Sequence, residues 1–407
     1  MWKHGFNSII VSAGTGINLL LGLLFYLIVA RSLTPSDFGI VAVVLSISVV
    51  ISDIFDLGIN TAIVKELAIG KRYLNTLFTI KLATALAVVL LGSMLSPIIS
   101  HFLFKGAHAI LIYLGFLGAG ATILFGFWNY CLIANKKFIQ ASLLGISSNV
   151  FRLLIIFSLS AVSKQTALVA YVVSLFLVLP VGAYATRHLA APRIEFDRTH
   201  LLSIFRFSRW IGASVALGSI FSRLDNFLIV SLSSSFQAGI YTSVQRIFLT
   251  VNQLPSAIGT ALGPDLSSGN KNKVKKATQF NWLISIFLSL ALVALILLTD
   301  SLVPLALGPA YSSAIIPAKI LGLGTIFFVL SMPANSYLIY TLGWSKVTFW
   351  ITLVQLLMIL TLNMIFVPQL QATGSALSYL ISTFFGLSAY LLIFIKSYGN
   401  DQAIVKN

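Results

Sequence analysis

Eight ionisable side chains lie inside the long apolar runs of this sequence, where a charge is costly. Five are basic and three are acidic: Lys81, Arg152, Arg223, Arg246 and Lys319, and Asp53, Asp56 and Asp225. Each charge at the centre of a membrane helix costs about 2.5 to 3.5 kcal/mol on insertion scales, so such groups need polar surroundings. The surplus of cations predicts a site for an anionic head group such as a diphosphate, because guanidinium forks match phosphate oxygens in pairs.

The position of each charge along its apolar run predicts its depth in a membrane. At about 1.5 Å per helical residue, we predict Arg152 near the midplane, Arg223 and Arg246 in the outer third, and Asp53, Asp56 and Lys81 in the inner third. Other roles stay open at this point. The acidic residues are candidate charge partners or sites for coupling to H⁺ or Na⁺, and ionic pairs would also hold helices together. Lys81 and Lys319 are close enough to span ends to extend their ammonium groups to the interface.

Composition indicates what kind of element must position these charges. Of the 407 residues, 58% are hydrophobic and 9% are charged, and the mean hydropathy is +0.98, so the sequence is that of a polytopic membrane protein. The net charge of +16 does not indicate nucleic-acid binding, because Lys and Arg are spread through short connections between apolar runs. Cys131 is the single cysteine, so we expect no disulfide, metal cluster or other cofactor.

The apolar runs are long enough to cross a membrane as helices, which takes about 20 residues each. We count twelve: residues 8–31, 38–62, 75–98, 109–134, 140–162, 166–186, 206–232, 238–262, 280–300, 312–341, 346–367 and 373–396. Eighteen of the 26 basic residues fall in tails and connections on one side of these spans, and three on the other. Basic residues mark the cytoplasmic side, so both termini are predicted to be cytoplasmic.

The two halves of the chain resemble each other. An apolar run, a polar turn and a second apolar run make up residues 20–46, and the same pattern returns in residues 227–245. Near the ends of the halves, ALVAYVVS at 167–174 matches SALSYLIS at 375–382. Internal repeats are typical of transporters with a site at the repeat interface. We therefore predict an all-α fold of two pseudo-symmetric six-helix lobes, residues 1–190 and 206–407, joined by a cytoplasmic linker at 191–205, with an aqueous chamber between the halves.

Several segments resemble one membrane protein family. They are VARSLTPSDFGIVAVVLS at 29–46, the Asp-Leu-Gly at 56–58, RLDNFLIVSLSSSFQAGIYTSVQRI at 223–247, LVPLALGPAYSSA at 302–314 and FVPQLQATGSALSYLIS at 366–382. The chain is similar to the O-antigen and polysaccharide flippases (Wzx-type) of the multidrug/oligosaccharidyl-lipid/polysaccharide (MOP) exporter superfamily. The resemblance implies a central cationic cavity and transfer of undecaprenyl-diphosphate-linked sugar units across the bacterial inner membrane, and it matches Asp225 to the Leu-Asp of the family. A polysaccharide polymerase and a chain-length regulator are candidate partners.

Two other functions compete with that of a flippase. A cation-coupled multidrug or metabolite exporter of the same superfamily tends to carry an acidic residue in its first span, where this sequence has Asn18 and no acid. A membrane-embedded polysaccharide polymerase or ligase resembles proteins with a large outer loop, whereas the outer connections here stay within ordinary lengths. The five histidines show no catalytic spacing, so the sequence predicts a transporter and not an enzyme.

Overall fold

The computed structural model describes residues 2–69, 74–189, 193–195 and 198–403. Regular structure within these ranges is helical throughout, without a strand. The chain divides into two compact units, Met1–Ser231 and Leu232–Asn407, which are described separately below. The predicted lobe and linker boundaries stay predictions.

The described residues of the first unit form nine helices. They are α1 (Trp2–Ser32), α2 (Pro35–Asp56), α3 (Ile59–Ile69), α4 (Leu74–Phe104), α5 (Ala109–Ala134), α6 (Phe138–Ser158), α7 (Lys164–Thr186), α8 (Arg198–Phe221) and α9 (Leu224–Leu232), the last of which ends one residue inside the second unit. Helices α2 and α5 each bury more apolar side chains than any other helix among the described residues of the unit, and they form its centre. Their small residues allow the backbones to approach, as is common between membrane helices.

The polar turn between α1 and α2 has the chemistry that its sequence predicts. Thr34 is extended and its hydroxyl accepts a hydrogen bond from the backbone N–H of Asp37 at 3.2 Å. Pro35 occupies the first turn of α2, where its missing N–H costs nothing. The Asp37 carboxylate lies in the same turn, where the helix dipole favours negative charge. This N-cap fixes where α2 begins.

Two of the apolar runs are broken helices. Helices α2 and α3 are separated by Leu57 and Gly58, both with positive φ, at +53° and +73°. Residues Ile211–Ile220 of α8 and α9 meet at a bend of 41°. Broken helices in transporters commonly form the sites that bind substrates or coupling ions, because they expose backbone groups and polar side chains at membrane depth.

The second unit contains α10 (Ser235–Leu266), α11 (Lys271–Leu297), α12 (Thr299–Leu307), a 3₁₀ helix (Pro309–Ala314), α13 (Ile315–Tyr340) and α14 (Ser345–Ala403). Helix α14 is interrupted at Gln371, where φ is +56° and ψ is −130°. This break separates the last two predicted spans. Ser234 caps α10 by accepting from the backbone N–H of Gln237, as Thr34 caps α2 in the first unit.

These helices confirm an all-α membrane fold. Eight helices among the described residues are long and apolar enough to cross a membrane, or nine if the bent pair of α8 and α9 counts as one span. Each of the twelve predicted spans overlaps a helix. The total of twelve crossings stays a prediction, as does the cytoplasmic position of the termini.

Candidate functional site

Lys81 forms a buried ion pair at the break between α2 and α3. Its Nζ donates to the carboxylate of Asp56 and, at 2.9 Å, to the side-chain carbonyl of Asn60. The side chain of Lys81 is 0% exposed and that of Asp56 is 9% exposed. Lys81 therefore does not extend to the interface, and that alternative is wrong. Its aliphatic stem and its charge are both covered by neighbouring helices.

The break itself creates this arrangement. Asp56 is the last residue of α2, and its second carboxylate oxygen accepts from the backbone N–H of Asn60 at 3.3 Å, in the first turn of α3. One carboxylate thus satisfies an orphan N–H at a helix start while binding the ammonium of Lys81 from α4. The result is a three-helix contact made of one acid, one base and one amide.

Helix α8 packs directly against the break. A β-carbon added at Gly58 would lie 2.5 Å from the carbonyl oxygen of Ser208, and one added at Gly212 would lie 2.5 Å from the carbonyl carbon of Leu57. Both distances are too short for a real side chain, so the two backbones touch. Glycine at position 58 is also favoured by its positive φ.

Asp53 and Arg223 extend the same polar group along α2 and α8. The Asp53 carboxylate lies within interaction range of the Ser219 hydroxyl and within electrostatic range of Arg223, Asp56 and Lys81. Arg223 approaches the hydroxyl and the carbonyl of Ser219, both at 3.5 Å from its Nη1, and donates to the Ser222 hydroxyl at 2.8 Å. We call this group the Lys81 cluster; it comprises Asp53, Asp56, Asn60, Lys81, Ser219 and Arg223.

The Lys81 cluster brings together two residues that were predicted at different depths. Arg223 was expected in the outer third of the membrane and Asp53 in the inner third, but Ser219 contacts both. The predicted depth of Arg223 follows from a span that begins at residue 206. Because Ser208 and Gly212, in the middle of α8, pack against the end of α2, Arg223 lies closer to Asp53 than the residue count predicts.

Asp225 and its neighbour lie on the far side of the α8–α9 bend. Both Asp225 and Asn226 are buried. Asn226 donates from Nδ2 to the hydroxyl of Ser46 on α2 at 3.0 Å. Helix α9 is thereby tied to α2, and the predicted role of Asp225 in charge pairing or ion coupling stays a prediction.

Arg152 lies in a second polar group of the first unit, surrounded by aromatic rings. Its guanidinium carbon is 4.5 Å from the ring centroid of Tyr171 and 5.1 Å from that of Phe25. It donates to the side-chain oxygen of Asn149 at 3.2 Å and approaches the Ser174 hydroxyl at 3.4 Å. We call this group the Arg152 cluster; it comprises Asn18, Phe25, Ser48, Asn149, Arg152, Tyr171 and Ser174.

The Arg152 cluster connects four helices. Asn149 on α6 donates to the side-chain oxygen of Asn18 on α1 at 2.7 Å, and the Tyr171 hydroxyl on α7 lies 3.5 Å from that of Ser48 on α2. Sequence reasoning found Arg152 and missed its partners, because neutral side chains do not stand out in an apolar run. The spacing of Asn149 and Arg152, three residues apart on one helix face, was the available signal.

The remaining predicted residues belong to the second unit. Lys319 on α13 pairs with Asp300 on α12 at 2.8 Å, with side chains 40% and 61% exposed. Arg246 on α10 is half-buried. Their assignment to a substrate site stays a prediction. No group of three or more metal-ligating side chains occurs in the part of the chain that the structure describes.

The fold is that of MOP-superfamily transporters. The structure of the lipid II flippase MurJ, inward closed, matches with a TM-score of 0.73 at 15% identity, covering 94% of this chain and 87% of that one. An outward-facing multidrug resistance MATE family transporter of the MOP superfamily matches with a TM-score of 0.64 at 17% identity, covering 98% and 95%. Likeness at this level of identity defines the fold, two lobes of membrane-spanning helices.

The family follows from the sequence itself. A family model described as "Polysaccharide biosynthesis protein" matches residues 28–316, and the chain belongs to that family. The putative O-antigen transporter of Shigella flexneri is 24% identical over 372 residues, covering 86% of this chain and 88% of the relative. The predicted resemblance is confirmed. The named relative and both structural neighbours are transporters or flippases, so the prediction of a transporter and not an enzyme is confirmed as well.

Proposed function

We propose that this protein is a flippase that moves undecaprenyl-diphosphate-linked oligosaccharide units from the cytoplasmic to the outer face of the bacterial inner membrane. The observation that carries the proposal is membership of the polysaccharide biosynthesis family together with similarity to an O-antigen transporter over most of both chains. The likeness to a lipid II flippase adds a fold suited to a lipid-linked sugar.

Charge supports the same substrate class. A diphosphate carries a negative charge that must cross the membrane, and basic side chains at membrane depth offset the cost of that transfer. Of the five basic residues predicted within the spans, Lys81 is paired with Asp56 and Lys319 with Asp300, so the proposal rests on Arg152, Arg223 and Arg246. In our proposal the head group passes through a polar chamber in the protein while the polyprenyl tail stays in lipid, and the chamber opens first to one face of the membrane and then to the other. H⁺ or Na⁺ coupling at Asp53 or Asp225 is one energy source compatible with this scheme, whereas Asp56, the third predicted coupling site, is paired with Lys81.

The proposal is tested by deleting the gene and analysing lipid-linked intermediates and surface glycan. We expect lipid-linked repeat units to accumulate on the cytoplasmic face and surface polysaccharide to be lost, with both reversed by the wild-type gene. Unchanged surface glycan and unchanged lipid intermediates in the deletion strain would contradict the proposal.

A second function is supported by the MATE-like fold. A cation-coupled exporter of drugs or metabolites would have the same overall architecture. The same deletion strain distinguishes the exporter from the flippase. If the protein is an exporter, the strain is more sensitive to drugs and has normal surface glycan. If the protein is a flippase, the lipid-linked intermediates accumulate and the drug sensitivity of the strain stays the same.

A further inference from the structure

We infer that the two cations of the Lys81 cluster have different roles. Lys81 is a positioning residue that stabilises the α2–α3 break. Arg223 binds the substrate diphosphate, in competition with Asp53. This inference rests on the proposed function and makes it more specific. Nothing in family membership or in the likeness of fold separates these two cations.

The first step is that Lys81 is not available to a ligand. Its side chain is 0% exposed and two of its three donors are used by Asp56 and Asn60. A phosphate could reach Lys81 only by displacing Asp56. That displacement would leave a buried carboxylate without its ammonium and would also remove the acceptor for the first turn of α3.

The second step is that Lys81 holds a particular backbone geometry. The ion pair fixes α4 to the end of α2 and the start of α3, on either side of the left-handed pair Leu57 and Gly58. Helix α8 rests against that break with its backbone at Gly212. Lys81 therefore acts on α8, and on the Ser219–Arg223 turn that α8 carries, through the break.

The third step concerns Arg223. Its side chain is half-buried, it lies at the bend between α8 and α9, and it shares Ser219 with Asp53. Asp56 and Lys81 balance each other, whereas Asp53 lies within electrostatic range of Arg223, so Asp53 is an anion with which a phosphate at Arg223 would compete. An arginine fork can exchange one carboxylate for a phosphate with little change in its own geometry.

The test measures binding of undecaprenyl diphosphate to the full-length protein in detergent, together with the amount of folded protein. We expect Lys81→Met and Asp56→Asn each to reduce the folded protein sharply, because each leaves a partner buried without its counter-charge. The double variant D56N/K81M removes both charges, and we expect it to restore folded protein and an affinity within about threefold of wild type.

Variants of Arg223 and Asp53 should change binding of the probe and not the amount of folded protein. We expect Arg223→Met to be recovered in normal amounts and to bind undecaprenyl diphosphate about tenfold or more weakly, as expected for loss of a charge-assisted hydrogen bond. Asp53→Asn removes the competing anion, and we expect it to bind the same probe more tightly than wild type.

Each of several results would overturn the inference. They are a double variant that is folded but does not bind the probe, a double variant that is not recovered at all, and an Arg223→Met variant with wild-type affinity. In the first two cases wild-type protein still binds the probe, so the proposed function survives. If wild-type protein itself does not bind undecaprenyl diphosphate, the proposed function and the inference both fail.

Discussion

Lys81 and Arg152 are both buried basic residues in apolar helices of one unit, yet their surroundings differ in kind. Lys81 is neutralised by a carboxylate at a helix break, with an amide as its second partner. Arg152 lies over the rings of Phe25 and Tyr171 and donates to neutral oxygens. The first arrangement depends on an opposite charge and the second on ring faces and dipoles.

Because the partners of Lys81 and Arg152 differ, substituting each residue leaves a different set of buried groups without its cation. Without Lys81, the carboxylate of Asp56 remains buried and charged, so the substitution also adds the cost of a buried charge that has lost its ammonium partner. Without Arg152, the partners described are two aromatic rings, an amide and a hydroxyl, all of which tolerate burial better than a charge. Basic residues in apolar runs therefore belong to at least two types, those paired with a carboxylate and those held by aromatic rings and neutral oxygens. Substitution distinguishes the two types by its effect on stability.

The largest effect is expected for Lys81→Met. Breaking a buried ion pair by removing one partner typically costs about 3 to 5 kcal/mol. We expect a marked fall in the thermal unfolding temperature of the purified protein and in its amount in membranes. The matched control is Lys319→Met, which removes a lysine from the exposed pair with Asp300. Exposed pairs contribute about 0 to 1 kcal/mol, so the control should unfold near the wild-type temperature.

An intermediate effect is expected for Arg152→Met. It removes a desolvated cation–π contact of about 2 kcal/mol and the hydrogen bonds to Asn149 and Ser174. Thermal unfolding should place this variant between wild type and Lys81→Met. Arg152→Lys keeps the charge and loses the planar fork, so it should lie closer to wild type than Arg152→Met. An unfolding temperature for Arg152→Met below that of Lys81→Met would reverse the comparison.

The smallest effect is expected at a third charged group, outside the spans. Lys164 donates to Asp37 at 2.8 Å, and His108 lies beside them before the start of α5. Burial, followed by the charge of Lys164, lowers the pKa of His108, while Asp37 and the backbone at Ala107 oppose this. The unfolded chain therefore takes up the His108 proton more readily than the folded protein.

The sign of the pH dependence follows from that difference. This contribution to stability is complete above the ordinary histidine pKa of about 6.5 and decreases as the pH falls below it. We expect the unfolding temperature to drop between pH 7.5 and pH 5, and to drop less in His108→Gln. Equal drops in the two proteins would exclude His108 as a contributor.

Sequence reasoning was most successful where one physical effect dominates. Apolar runs of about 20 residues predicted where helices occur, and Thr34, Pro35 and Asp37 predicted the start of α2. The breaks at Leu57–Gly58 and at residues 222–223 were missed, because the charges beside them, Asp56, Arg223 and Asp225, were interpreted as lying inside continuous spans. A Gly after Leu in a membrane helix carries little signal, since glycine is common there.

Charge pairing was harder to predict than charge location. The eight intramembrane charges are evident from composition, but Lys81 and Asp56 are 25 residues apart and meet only because α4 packs beside the α2–α3 break. The neutral members of the two clusters are not identified by the free-energy cost of placing a charge in a membrane helix. They include Asn60, Ser219, Phe25 and Tyr171. Tertiary packing decides which charges are neutralised, and a single sequence does not contain that packing explicitly.

The central claim is that this protein moves a lipid-linked oligosaccharide across a membrane, and reconstitution tests it most directly. Purified protein in vesicles would be given an undecaprenyl-diphosphate-linked oligosaccharide, and its exposure on each leaflet followed with a membrane-impermeant glycan-modifying enzyme. We predict that the protected fraction becomes accessible in vesicles that contain the protein, and more slowly with Arg223→Met. Accessibility equal to that of protein-free vesicles, with correctly folded protein present, would contradict the account.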